Sequence, residues 1–190
     1  MRESDASRWE GLFADLEAQA AALGQADADA ELADLVRSRV GELRLYDRLR
    51  AAWGQSIALT VCGAGRVDGV LREAGVDWLL LADAYRREVL VPAAAVTSVA
   101  GLGPHSLTPG SEGHVAARLT LRWALRRITR DRSPVAVTLT DGGQLFGTPD
   151  RVGADFLDLA EHPADQPRRA TAVRGIRAIP LAALALLRRA

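Results

Sequence analysis

Sliding the sequence against itself by 78 residues brings a series of like residues into line, and this internal repeat constrains the fold more than any other feature. Val61, Gly65, Gly69, Gly75, Asp77, Trp78 and Leu79 meet Leu139, Gly143, Gly147, Gly153, Asp155, Phe156 and Leu157 in order. Ten extra residues in the second copy then precede a further match, in which Val91 and Pro92 meet Ile179 and Pro180. Residues 161–174, with His162, two prolines and Arg168 beside Arg169, have the composition of a surface loop and accommodate the insertion. Such a chain states one supersecondary unit twice, so a pattern read in one copy is checked by the other.

Within each copy, apolar residues alternate over short runs separated by turn residues, which is the signature of antiparallel strands. Strands are expected at 57–61, 66–72, 77–82, 88–91 and 94–99, and again at 135–139, 144–149, 155–160, 177–180 and 183–187. Cys62-Gly63-Ala64-Gly65 and Asp141-Gly142-Gly143 suit the positive φ angles of tight hairpins. Between the copies, a linker at 101–113 leads into an expected helix at 115–129. Upstream, Trp9, Leu12, Phe13 and Leu16 recur at helical spacing, and Gly24 reads as the end of that helix. A second helix over 27–53, stopped by Gly54, then gives an N-terminal helical hairpin.

Composition narrows the class. The longest apolar run, at 178–187, is broken by Pro180 and falls short of the roughly 18 residues that a membrane span needs. The first ten residues are mostly charged and polar, unlike a signal peptide, so the chain is read as cytoplasmic. A single cysteine, Cys62, excludes an internal disulfide and leaves cysteine-based zinc sites short of ligands. The net charge of zero hides a polarity: residues 1–35 carry nine acids against two arginines, whereas residues 118–190 carry thirteen arginines against seven acids. Every basic side chain is arginine.

A helix leading into five short antiparallel strands, with a hairpin, a mid-strand glycine, a Gly/Asp turn and a three-residue apolar strand, resembles the Sm-like (LSm) small β-barrel family. The likeness covers roughly residues 40–100 and 115–188. The pattern is also similar to the C-terminal barrel of bacterial ribosome-maturation proteins. A further similarity is to an uncharacterised family from high-GC bacteria sometimes labelled Fis-type regulators, although the β-rich body is no helix-turn-helix domain. The resemblance implies an α+β fold, with the N-terminal helical hairpin followed by two tandem Sm-like five-stranded small β-barrels. The corresponding divisions are 1–53 for the hairpin, 54–100 for the first barrel, 101–132 for the linker and basic helix, and 133–190 for the second barrel. It also implies that strand four of one copy pairs with strand five of the other, leaving two free edges for self-association or for cover by the N-terminal helices. The family's RNA-binding Asp, Asn and Arg-Gly positions are not matched. Asp77-Trp78-Leu79-Leu80-Leu81 carries no Asn, and Val91-Pro92 and Ile179-Pro180 stand where Arg-Gly would.

No constellation for catalysis stands out. Gly63 to Gly69 resembles a phosphate loop but leads into a strand and not a helix, so it reads as a turn. His105, His114 and His162 fall in linkers and loops at no metal spacing and read as solvent-exposed, and Cys62 lies at a hairpin. Asp77 and Asp155 read as turn residues. No enzyme activity, cofactor or metal is expected. Arg118, Arg122, Arg126 and Arg130 recur at four-residue spacing on one helix face and, with Arg168 and Arg169, form the candidate nucleic-acid contacts. Trp9, Phe13, Trp78 and Phe156 are the candidate interaction residues. The expectation is a non-catalytic binding or scaffolding protein acting on a protein partner or on another copy of itself, with RNA or DNA binding as the alternative and no membrane partner.

Overall fold

The computed structural model describes residues 3–108, 118–164 and 173–189, and the chain divides into two compact units, Met1–Leu43 and Arg44–Ala190. The first unit is one helix, α1 (Glu3–Glu42), running through Gly24 without a break. This corrects the expected N-terminal hairpin. A glycine inside a helix costs only about 1 kcal/mol relative to alanine, and alanines at 18, 20, 21, 22, 26, 28 and 30 surround this one. With no proline and no capping side chain that outcompetes the helix, the backbone continues. Leu16, Leu23, Leu32, Leu35, Val36 and Val40 of α1 are exposed. No helix among the described residues is long and apolar enough to cross a membrane.

The second unit is mostly β. It opens with α2 (Leu45–Ala51), whose entry is fixed by the Asp47 carboxylate accepting a hydrogen bond from the Arg44 N–H at 3.1 Å. The first copy follows as β1 (Ser56–Val61), β2 (Gly65–Ala74), β3 (Trp78–Ala82), β4 (Glu88–Pro92) and β5 (Val96–Ala100). After the linker come α3 (Leu121–Asp131), β6 (Val135–Leu139), β7 (Gln144–Val152), β8 (Phe156–Glu161), β9 (Gly175–Pro180) and β10 (Leu184–Arg189). All pairings are antiparallel, in the order β5-β1-β2-β3-β4-β10-β6-β7-β8-β9. The two closed five-stranded barrels are therefore corrected to a single open ten-stranded sheet. Closing each barrel would require a β4–β5 and a β9–β10 pair. Instead the outer edge of β4 is taken by β10, through Leu90 opposite Leu187 and Val89 opposite Arg188. β5 and β9 remain at the two ends.

The repeat reappears in the backbone. Bulges interrupt the β2–β3 pair between Leu71 and Glu73 and the β7–β8 pair between Pro149 and Arg151. Pro92 and Pro180 each lead into one 3-10 turn, 93–95 and 181–183, before the fifth strand. The N–H after each proline, on Ala93 and Leu181, donates to the carbonyl of Asp77 and Asp155 respectively. Gly69 and Gly147 sit where a Cβ would lie 2.7 and 2.3 Å from the carbonyl oxygens of Ala82 and Ala160, so the neighbouring strand leaves no room for a side chain. In the turn between β3 and β4, the Asp83 carboxylate accepts from the N–H groups of Tyr85 and Arg87 and from the Arg87 guanidinium. Partial desolvation works against the Asp83 charge, but these hydrogen bonds outweigh it and hold the carboxyl below its usual range.

Two apolar cores exchange residues across the β4–β10 seam. Ala185 and Leu186 of β10 enter the first-copy core with Leu59, Leu71 and Leu81. Trp78 of β3 and Leu90 of β4 enter the second-copy core with Leu125, Leu157 and Leu187. Neither half owns a complete core, which is the packing reason that the sheet runs through instead of closing twice.

Gly75 lies against the Trp78 indole and Gly153 against the Phe156 ring, where an added Cβ would come within 2.0 and 2.2 Å of ring atoms. Trp78 is buried, stacked on Trp123 and tied through its indole N–H to the Leu119 carbonyl, whereas Phe156 is half-buried. Gly75→Ala is therefore expected to destabilise by about 2–3 kcal/mol and Gly153→Ala by less than about 1 kcal/mol, read as the shift in urea unfolding free energy. Equal costs at the two sites contradict the packing difference.

Candidate functional site

α3 is where the two copies meet, and first-copy residues fix its start. The Asp77 carboxylate accepts the N–H of Leu121 at 2.6 Å, and the Trp78 indole donates to the Leu119 carbonyl at 2.8 Å. The Thr120 hydroxyl accepts from the Trp123 N–H at 3.4 Å, completing the cap. Leu121, Ala124 and Leu125 are buried against the second-copy core, with Ile128 half-buried beside them. Arg132 ends the helix in the left-handed conformation, φ 52°. The sequence placed this helix at 115–129; residues 115–117 lie outside the described residues, and the helical turns begin at Leu121.

Burying that face turns Arg122, Arg126 and Arg130 outward in one row, with exposed Arg118 just before the helix. Among the described residues no carboxylate pairs with any of the four. Like charges at i, i+4 cost roughly 0.2–0.5 kcal/mol per pair in a helix, so the row does not serve helix stability. Of the other candidates, Arg168 and Arg169 lie outside the described residues, as does His114. The side chains of Trp9 and Phe13 are likewise outside what is described. Trp78 is buried at 2% exposure and Phe156 is half-buried, so the two matched aromatics have different environments.

Beside α3 a cleft of about 250 Å³ opens over the seam. Trp78, Leu90 and Leu187 supply apolar lining from the sheet, and Trp123, Ala124 and Ile128 line it from the helix. The two indoles stack with centroids 6.5 Å apart and planes 25° from parallel. The Arg127 guanidinium lies 5.0 Å from the Trp123 ring centroid, a cation–π contact. At the seam end of the lining, Arg189 donates to the Ser133 hydroxyl at 3.0 Å and approaches Glu88 at 3.6 Å and Asp131 at 3.9 Å. Glu73, half-buried on the β2 bulge, also lines the cleft and has no charged partner among the described residues. Sequence reasoning missed this cleft. The Trp123–Arg127 spacing of four was visible and pointed to a ring under a guanidinium, but nothing local placed Glu73 across from it.

The remaining polar candidates fall elsewhere. His162 is buried, contrary to its expected exposure. Its ring nitrogens are taken by the Thr148 hydroxyl at 2.9 Å and the Pro163 carbonyl at 3.0 Å, with the Phe146 ring edge-on at 5.6 Å. His105 is exposed. Cys62 is an exposed free thiol whose sulfur lies 3.5 Å from the Thr140 carbonyl oxygen. Residues 63–69 form a hairpin turn and the start of β2, with no helix for a phosphate to rest against. Among the described residues no group of three His, Cys, Asp or Glu side chains comes together as a metal site.

Because Asp77 caps α3 while Asp155, its repeat equivalent, caps no helix among the described residues, their substitutions separate. Asp77→Ala is expected to cost about 1–2 kcal/mol and to alter Trp123 fluorescence, and Asp155→Ala to cost less than about 0.5 kcal/mol. Equal effects in a thermal unfolding comparison remove the capping role. No protein family, curated protein or solved structure matches this chain.

Proposed function

We propose that the chain is a non-catalytic scaffolding protein that acts through protein–protein contacts, assembling with further copies of itself by strand addition at β5 and β9. One observation carries this reading: the seam inside the chain is a pairing of β4 with β10, and the repeat equivalents of those two strands, β9 and β5, are the two sheet ends. A surface that pairs within the chain is thus offered once more at each end. Phe156 supports the same reading. Its equivalent Trp78 is covered by the seam and α3, while Phe156 beside the β9 end is half-exposed. Ile176 of β9 is 63% exposed, an apolar side chain on an edge that natural sheets usually blunt.

Transferring the seam register by the repeat places Arg177 opposite Ala100 and Ala178 opposite Val99 of the next copy. Such a contact is head-to-tail, so it closes into a ring or runs on as a filament. Sedimentation velocity across a concentration series is expected to show oligomers that Ile176→Lys reduces to monomer. In a Cys62→Ser background, Ala178→Cys with Val99→Cys is expected to form an intermolecular disulfide. A chain that stays monomeric at every concentration removes the proposal.

A second reading rests on a separate observation, the unpaired arginine row of α3. It supports contact with a polyanion such as RNA or DNA. If four phosphates are engaged by Arg118, Arg122, Arg126 and Arg130, log affinity for a duplex falls against log salt with a slope near −3.6, about −0.9 per phosphate. Arg122→Ala with Arg126→Ala is expected to reduce that slope by about half in a fluorescence anisotropy titration. Absence of binding at low salt discards this reading.

A further inference from the structure

We propose that the cleft at the seam is a slot for a guanine base, with Trp123 as its stacking wall and the Glu73 carboxylate as the group that reads the base edge. The proposal is independent of strand addition, since the cleft lies inside one chain and away from both sheet ends.

The first argument is the behaviour of Glu73. Its repeat equivalent is Arg151, which faces Asp158 across the same bulge and pairs with it at 2.7–2.9 Å. In the first copy Leu80 stands where Asp158 stands, so Glu73 faces an apolar residue. A position that is ion-paired in one copy therefore holds a half-buried acid without a counter-ion in the other. A half-buried carboxylate with no counter-ion keeps its acceptor oxygens available to donors on a ligand. The charge points to donors on that ligand.

The second argument is shape. The lining combines apolar and aromatic side chains with charged ones, Glu88 and Asp131 being engaged by Arg189, and about 250 Å³ suits a flat bicyclic ring; an apolar cavity of roughly 150 Å³ already holds benzene. The Trp123 ring is stacked by Trp78 and overlaid by the exposed Arg127 guanidinium, so a base stacks on the indole by displacing Arg127 from the ring face, as nucleobases do on aromatic platforms. An ionised carboxylate only accepts hydrogen bonds, and two adjacent donors satisfy both of its oxygens. Among the neutral bases, guanine presents that pair, through its ring N1–H and its 2-amino group. Arg127, which has no carboxylate partner among the described residues, and the arginine row on the same helix supply the charge that a phosphate attached to the base requires. The same chemistry is carried by a free guanine nucleotide or by a guanosine within a single strand.

Calorimetric titration of the full chain with GMP, IMP and UMP tests the slot, because IMP lacks only the 2-amino group of GMP. GMP is expected to bind roughly 10- to 100-fold more tightly than IMP, the range of one hydrogen bond to a charged group, with UMP weaker still. Glu73→Gln, which keeps the shape and removes the charge, is expected to erase the GMP preference. Trp123→Leu is expected to weaken GMP and IMP alike. Short single strands with and without one guanosine form the second arm. Guanosine-dependent binding there, lost in Glu73→Gln, supports the slot with a strand as its source even when GMP alone does not bind. No guanine preference in either arm, or a preference that survives Glu73→Gln in a variant with unchanged unfolding midpoint, overturns the proposal.

Discussion

The pairing of β4 with β10 is short, yet the rest of the sheet unit depends on it. Only two residue pairs define its register, Leu90 with Leu187 and Val89 with Arg188. Two backbone pairs are too few to hold a junction alone, and the side chains decide the matter. Leu90, Val89 and Leu187 are buried, and β10 sends Ala185 and Leu186 into one core and Leu184 and Leu187 into the other. Burial of a leucine contributes roughly 1.5–3 kcal/mol, so the few large side chains at the seam outweigh what the short ladder supplies. α3 completes the junction, since its first turn is bound by Asp77 and Trp78 from one copy while its apolar face belongs to the other.

That arrangement explains why two like halves have unlike surfaces. The repeated devices, such as the bulge, the proline before the 3-10 turn and the two crowded glycines, are backbone necessities of the unit and occur in both copies. Differences appear where the seam exists on one side only. Trp78 replaces Phe156 where α3 must be held, and the Glu73–Leu80 pair replaces Arg151–Asp158 where the cleft opens. The second copy keeps its ion pair, between an exposed Arg151 and a buried Asp158. In the first copy, Glu73 stands in the place of Arg151, faces Leu80, and lines a cleft that exists only because a second copy is attached.

Much of this was legible in the sequence, because the relevant signals are local. The strand cores, the hairpins at Gly63 and Gly142 and the proline-marked fourth strands follow from alternation and turn chemistry. Closure was not legible. The joining of strand four of one copy to strand five of the other was within reach of the resemblance, and β4 does meet β10; that neither copy also closes on itself was not, because it depends on apolar burial between residues almost a hundred positions apart. The N-terminal hairpin failed for a different reason. Gly24 reads as a helix end, but its modest propensity cost is outweighed by the alanines around it, and the helix runs on to Glu42. His162 reads as a loop residue, but Thr148 sits across from it, and no local pattern announces a buried hydrogen bond between them. Of the cleft, the Trp123–Arg127 contact was within reach of helical spacing, while Glu73 became relevant only through the fold.

The arginine row and the cleft share a cause in α3. A helix that must bury Leu121, Ala124, Leu125 and Ile128 along one face has a fixed opposite face, and this sequence places arginine there at 122, 126 and 130. The flank between the two faces carries Trp123 and Arg127, which overlook the seam. Anchoring by Asp77 and Trp78 therefore sets where the cations stand and how wide the cleft is. Loosening that anchor moves both together, whereas substitutions at the β9 end leave them in place. Assembly at the sheet ends and recognition at the seam are thus mechanically separable, because one uses the edges that the duplication leaves open and the other the junction that it creates.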